Sequence, residues 1–216
     1  MKTRFLKVVM VSIIYLTISF PSFSQKKKVT IIDAGIYKSY FSAALRESLY
    51  VVYKLYKGGG DCGSTYQFHV TRPGTATDAD YAATGKIYDK GHLANAEDFR
   101  VNCDDLKKTY EYFNCVPQTE KLNRGIWKSW ETKIRKESQN AHLLIICGAI
   151  YGNKTIGPNK LAVPDYCWKI VYNAKNKRKA MHTLFFANDD SDSVDTTMTV
   201  KNLKSKLKYK LKYTVK

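Results

Sequence analysis

The chain has 216 residues, enough for one sizeable core and short for two, and its 44% hydrophobic and 25% charged side chains exclude a disordered tail or a fibre. Thirty-six Lys and Arg stand against 19 Asp and Glu, a formal charge of +17. That imbalance excludes indifference to polyanions: nucleic acid, an anionic membrane or an acidic partner must feel this surface.

Residues 1–24 read as a secretory signal. Lys2, Arg4 and Lys7 precede an apolar stretch at 8–20 that is short for a transmembrane helix, and Pro21-Ser22-Phe23-Ser24 offers small residues to a peptidase. Removing the segment takes away three basic and no acidic residues and leaves +14, so the basicity belongs to a single domain at 25–216. The expected location is secreted or periplasmic, with no stable membrane insertion after the signal is removed; an uncleaved anchor is the alternative. Export permits disulfides. Cys62, Cys103, Cys115, Cys147 and Cys167 contain no CxxC pair, and an odd count leaves at least one thiol unpaired while the pairing stays open. His69, His92, His142 and His182 lack zinc-ligand spacing.

Residues 48–57 are β-branched and aromatic, Gly58-Gly59-Gly60-Asp61 breaks the run, and 65–71 (TYQFHVT) alternates again, which predicts a hairpin. Residues 72–85 carry turn formers and read as a long loop, more often functional than idle. A short strand is expected at 87–89, brief helices capped by Asn95 or Asn102, a strand at 110–116 and a helix at 119–139. Residues 142–151 (HLLIICGAIY) are expected to form a buried central strand with Cys147 in the core. A second hairpin is predicted from 167–172 and 181–187 around the turn-like 173–179. From 203 to 215 lysines hold the even positions 204–212 while leucine, tyrosine and valine hold most odd ones. Period two predicts a strand with one lysine face, and a short helix over 199–207 followed by a strand is the alternative. The lysine row is either a solvated edge or a nucleic-acid track.

Two blocks carry chemistry. The first is Asp89-Lys90-Gly91-His92-Leu93-Ala94, where the glycine is read as permitting a sharp turn before a histidine among small and polar neighbours. The second is Asn114-Cys115-Val116-Pro117-Gln118, followed by Asn123, Trp127 and Glu131. In a regular helix, steps of four keep Asn123 and Glu131 on one face. Together the blocks resemble the DNA/RNA non-specific endonuclease family of ββα-metal nucleases, whose pattern is Asp-Arg-Gly-His, then Asn-x-x-Pro-Gln, then Asn-x-x-x-Trp-x-x-x-Glu. Gly148-Ala149-Ile150-Tyr151 and Val163-Pro164, with Trp168-Lys169 beyond, are similar to the family's later core strands. Lys90 stands where the family has Arg, exchanging a forked clamp for a point charge, and Asn95 replaces a Pro.

The resemblance implies an α+β fold, a central mainly antiparallel sheet flanked by helices, with a ββα-metal finger as the active site. It implies His92 as general base, Asn123 as the direct ligand of one Mg²⁺ (Mn²⁺ able to substitute), and Glu131 ordering the ion's water shell. Asn114 braces the site. Lys90 and Arg72 are candidate phosphate contacts, and Gln118 either touches substrate or supports the fold. Asp89 is expected to orient the loop by hydrogen bonds. Trp127 and Trp130 are expected in the core rather than as stacking platforms. The implied activity is hydrolysis of DNA and RNA backbones to 5′-phosphate ends, with no small-molecule cofactor and little sequence specificity, and with an inhibitor protein or a homodimer as further partners. Competing readings are a catalytically impaired nucleic-acid-binding protein on the same scaffold, and a surface protein binding anionic lipid through its lysine-rich tail.

Overall fold

The computed structural model describes residues 29–63 and 66–213, so the segment expected to be a signal lies outside the described residues. In chain order the strands are β1 (Val29–Asp33), β2 (Tyr37–Ser42), β3 (Glu47–Leu55), β4 (Tyr88–His92), β5 (Cys115–Thr119), β6 (Leu143–Ile156), β7 (Leu161–Asn173), β8 (Asn176–Ala187) and β9 (Val194–Asp195). The helices are α1 (Asp78–Ala82), α2 (Cys103–Lys108), α3 (Glu120–Leu122), α4 (Lys128–Ser138) and α5 (Val200–Lys206). Seven strands form one antiparallel sheet in the order β1-β2-β3-β6-β7-β8-β9, and β4 and β5 form a separate two-stranded ribbon.

The apolar run at the start of β6 shows no alternation because both of its faces are covered. Side chains of successive strand residues point to opposite sides. Cys147 of β6 and Lys169 of β7, paired across the ladder, face α4, where Lys169 meets Glu131. Their neighbours Gly148 and Trp168 face the other way, beside Tyr50 of β3, and there residues 207–213 cross the sheet: Tyr209 stacks on Tyr50 with centroids 5.7 Å apart. Leu143, Leu144, Ile145 and Ile146 are consequently all inaccessible. Each such side chain contributes roughly 1.5–3 kcal/mol relative to an exposed one. Gly148 is required by the packing of β3 and Trp168 around it, since a Cβ there would collide with the Leu49 backbone and the Trp168 ring.

The central strand and the second hairpin lie where the sequence predicts them, with β7 and β8 running longer and the turn shrinking to the residues between Asn173 and Asn176. Asn95 and Asn102 both cap short helices through their side-chain oxygens. Four expectations are corrected. Residues 66–71 form no hairpin with β3, whose partners are β2 and β6; only His69 makes a bridge, to Glu111. The strand expected at 110–116 begins at Cys115, after a 3-10 turn. The helix expected over 119–139 is broken: a wide π turn at Asn123–Trp127 contains non-helical Gly125, and Asp192 caps the break by accepting from the Ile126 N–H at 2.6 Å. The lysine-rich tail is not an edge strand: the alternative of a short helix holds in α5, but an irregular segment bent at Lys208 and Tyr209 follows it and lies on the sheet face in place of a strand. Among the cysteines, Cys62 and Cys103 form the disulfide, and Cys115, Cys147 and Cys167 are buried thiols. The bridge ties the loop after β3 to the first turn of α2 and, on a chain-entropy account, removes about 4 kcal/mol of freedom from the unfolded state.

Candidate active site

The β4–β5 ribbon pairs Asp89 with Gln118, Lys90 with Pro117, Gly91 with Val116 and His92 with Cys115. A smaller apolar cluster of Tyr81, Tyr88, Tyr112, Cys115, Leu161 and Val163 fastens it to the sheet. β5 returns to pair with β4 after the excursion through α2, and α3–α4 follows β5 directly, giving the ββα arrangement. Gly91 serves close approach rather than a turn: it lies within the strand, and any Cβ would strike the Gln118 side chain beneath it. Gln118 is fully buried, its amide donating to Cys167 Sγ at 3.3 Å. The expected substrate contact from Gln118 therefore has no surface to act through, and the side chain supports the ribbon. Asn114, also fully buried, accepts from the Ala94 N–H at 2.8 Å and donates to the Ala94 and Thr109 carbonyls, clamping the chain just beyond His92.

His92 lies between the Phe68 and Tyr110 rings, at centroid distances of 4.8 and 4.9 Å. Its Nε2 is sealed from solvent and makes no hydrogen bond to the described residues. Burial, and then the positive charge of Lys169, push its pKa down to about 4. The ring is neutral at physiological pH, with one nitrogen uncommitted to protein.

Asn123 donates through Nδ2 to Asp89 Oδ2 at 3.0 Å, which turns its amide oxygen away from Asp89. Arg124 grips the same carboxylate with Nε and Nη2, both at 2.8 Å, and reaches Glu120 with Nη1. Burial pushes the Asp89 carboxyl up, but the Arg124 and Asn123 hydrogen bonds outweigh it and hold it below the usual range. Asp89 thus ties the strand carrying His92 to the turn carrying Asn123. No hydrogen bond among the described residues joins the imidazole to the amide directly. Because the π turn intervenes, the simple face argument linking Asn123 to Glu131 does not hold either.

Glu131 is buried and accepts from Lys169 Nζ at 3.2 Å. Lys169, 1% exposed, also reaches Cys147 Sγ at 3.5 Å and sits 3.9 Å above the Trp127 ring. Burial works against its charge, and Cys147, Glu131 and Asp98 outweigh it, so its pKa is raised. Burial raises Glu131 as well, against the pull of Lys169 and Arg135. The sequence pattern alone assigns Lys169 no role, although one lysine inside the apolar stretch Cys167-Trp168-Lys169-Ile170-Val171 is a usable signal. Replacing Lys169 with Met strands a buried carboxylate and is expected to cost about 3–5 kcal/mol in denaturant unfolding. Adding Glu131→Gln should recover much of that loss, and simple additivity of the two would show that the pair does not couple.

Lys90, expected at a phosphate, is already paired with the Asp78 carboxylate, which also takes the Tyr112 hydroxyl. Its ammonium lies over Phe68 and Tyr112 at 5.5 and 5.3 Å. A phosphate would have to compete with Asp78 for it. Arg72 is exposed on the loop before α1, its carbonyl accepting from Thr75. Trp127 is core, edge-on to Phe186; Trp130 is half-buried against His182. Beside the Arg124 end of the ribbon runs an open groove of about 930 Å³ whose lining mixes cations, Lys86, Lys121, Arg124 and Lys154, with acids that include Glu120, Asp189 and Asp192.

Comparison with known proteins places this geometry. The family model described as DNA/RNA non-specific endonuclease matches residues 17–214. Human mitochondrial endonuclease G is 29% identical over 109 residues, covering 44% of this chain and 36% of that protein. A nuclease of Nostoc sp. is 35% identical over 92 residues, 41% of this chain and 32% of that protein. These alignments span about a third of the relatives' length. A solved structure of an EndoG/EndoGI complex superimposes with a TM-score of 0.70 at 19% identity, covering 82% of each chain, which speaks to the fold.

Proposed function

The chain belongs to the DNA/RNA non-specific endonuclease family, and from that membership we propose that it is an exported, Mg²⁺-dependent enzyme hydrolysing the phosphodiester backbone of DNA and RNA irrespective of base. The observation that carries this reading is the His92 imidazole: unprotonated at neutral pH, partly exposed on the ribbon, and clamped by Asn114 through the following residues.

A phosphodiester repels nucleophiles by its own charge and releases a poor leaving group, so a base, a cation and a clamp are needed. In our reading His92 accepts the proton of the attacking water as its oxygen bonds to phosphorus. The P–O3′ bond breaks and the departing 3′-oxygen takes a proton from a solvent water, leaving a 5′-phosphate and a 3′-hydroxyl. The donor set suits Mg²⁺, which takes few protein ligands and prefers hard oxygens. With its Nδ2 given to Asp89, Asn123 keeps its amide oxygen free for that ion. When bound, the ion would supply positive charge for the phosphoryl oxygens and the departing alkoxide. Asp89 and Arg124 hold the Asn123 side chain, and Lys169 holds Glu131. Arg72 is the exposed cation offered for phosphate contact. The formal charge of +14 on residues 25–216 supports a backbone reader, whose affinity should fall steeply with salt. Export is supported by the N-terminal pattern and the Cys62–Cys103 bridge. The EndoG/EndoGI complex makes an inhibitor protein a candidate partner here, and a homodimer is a second.

The test is digestion of supercoiled plasmid and of structured RNA with Mg²⁺, with EDTA, and with Mg²⁺ restored after EDTA. We expect both substrates to be cut, cutting to stop in chelator, and the products to be ligatable at their 5′ ends after annealing. Full activity in EDTA would overturn the reading.

A further inference from the structure

We propose that Lys208, Lys210 and Lys212 form a docking track for nucleic-acid backbone on the sheet face opposite the candidate active site, tethering long substrates without touching the scissile phosphate. The inference rests on the substrate class proposed above.

Residues 207–213 carry no regular secondary structure and bend at Lys208 and Tyr209, and alternate side chains do different things. Leu207, Tyr209, Leu211 and Tyr213 turn inward and are half-buried, whereas the three lysines are exposed. The segment is fixed in place. The Tyr209 hydroxyl reaches the Leu49 and Ala149 carbonyls, each at 3.1 Å, and the Tyr50 hydroxyl both accepts from the Lys212 N–H at 2.9 Å and donates to its carbonyl at 3.0 Å. Tyr50 lies on the side of the sheet away from Lys169 and Glu131, as strand alternation requires. The row is therefore on the back of the molecule, held in place by tyrosines beneath it.

Among the described residues no carboxylate pairs with Lys208, Lys210 or Lys212. The contrast is with Lys90, Lys108 and Lys169, each paired with an acid. A positively charged track that follows the backbone and ignores base identity is what such a row offers. A membrane surface fits less well, because insertion needs apolar side chains beside the cations. Here every apolar side chain of the segment is committed to the sheet.

The experiment uses the full chain with Lys208, Lys210 and Lys212 all changed to Gln, and a control with all three changed to Arg. Binding to DNA of several hundred base pairs is measured in EDTA over a series of salt concentrations, and cleavage is measured on that DNA and on a duplex of about ten base pairs. We expect the Gln variant to keep the wild-type Tm and its kcat on the short duplex. Its slope of log affinity against log salt should be shallower by about 2–3, since each phosphate that a lysine neutralises adds roughly 0.9 to that slope. Cleavage of long DNA at low salt should fall about five- to tenfold in kcat/KM, and the Arg variant should behave as wild type. An unchanged slope, or equal loss on long and short substrates, overturns the track. Binding to phosphatidylserine vesicles that is lost in the Gln variant while the DNA slope stays unchanged assigns the row to membrane and also overturns it. If the wild type binds DNA but cuts neither substrate, the function proposed above fails while the slope comparison still decides the track.

Discussion

Replacing His92 with alanine should lower plasmid cleavage by roughly 10²–10⁴-fold, the range a positioned general base supplies, with DNA binding and fold retained. The ring touches Phe68 and Tyr110, so a smaller side chain loosens local packing, but the Asn114 clamp acts on the next residues and stays intact. The pH profile separates this base from an ordinary surface histidine. Burial and Lys169 hold the His92 pKa at about 4, against about 6.5 when the chain is unfolded. The neutral form, which can accept a proton, is therefore present throughout the neutral range, and kcat/KM should lose this group only as pH approaches 4. Stability follows the same pair of values. Above about 6.5 the histidine is neutral in both states and costs the fold nothing. Between 6.5 and 4 the unfolded chain takes up a proton that the folded one refuses, so stability falls as pH falls. A histidine NMR signal absent from the His92→Ala protein and titrating near 6.5 would contradict this placement.

Asn123→Ala should abolish cleavage at limiting Mg²⁺. Residues that merely support a metal ligand are worth about 10–100-fold, so losing the proposed ligand itself should exceed ~100-fold. Binding can be read apart from activity, by electron paramagnetic resonance of Mn²⁺: the wild type should bind it and the alanine variant should not. Asn123→Asp should retain part of the affinity, since it keeps a hard oxygen, but it cannot donate to Asp89 and sets two carboxylates side by side. Unaltered Mn²⁺ binding in Asn123→Ala would remove the residue from this role. The Arg124 grip on Asp89 does not depend on residue 123, so the fold around the turn should persist.

Elements whose sequence pattern reflects burial are legible without coordinates. The continuous apolar run of β6 and the polar turn between β7 and β8 are of this kind. Pattern misleads where another contact satisfies the same alternation. Residues 65–71 alternate like a strand, yet Phe68 is drawn to His92, Lys90 and Tyr110 rather than to a neighbouring strand. The tail alternates like an edge strand, but its inward residues pack on a sheet face. Strands β1 and β2 escape a sequence reading because Val29 and Ile31 are exposed and the buried positions of β2 include Ser39 and Ser42. At the site, the spacing of His92, Asn114, Asn123 and Glu131 locates the finger in sequence. It cannot show that Asp78 neutralises Lys90, that Gln118 is enclosed, or that Lys169 stands against Glu131, since all three depend on contacts between residues distant in sequence.

The segment 207–213 also bears on how the protein is made. Until it emerges from the ribosome, Tyr50 lacks the ring that stacks on it and the Leu49 and Ala149 carbonyls lack the Tyr209 hydroxyl. A nascent chain of 206 residues thus carries every proposed reactive group on a sheet that has not closed.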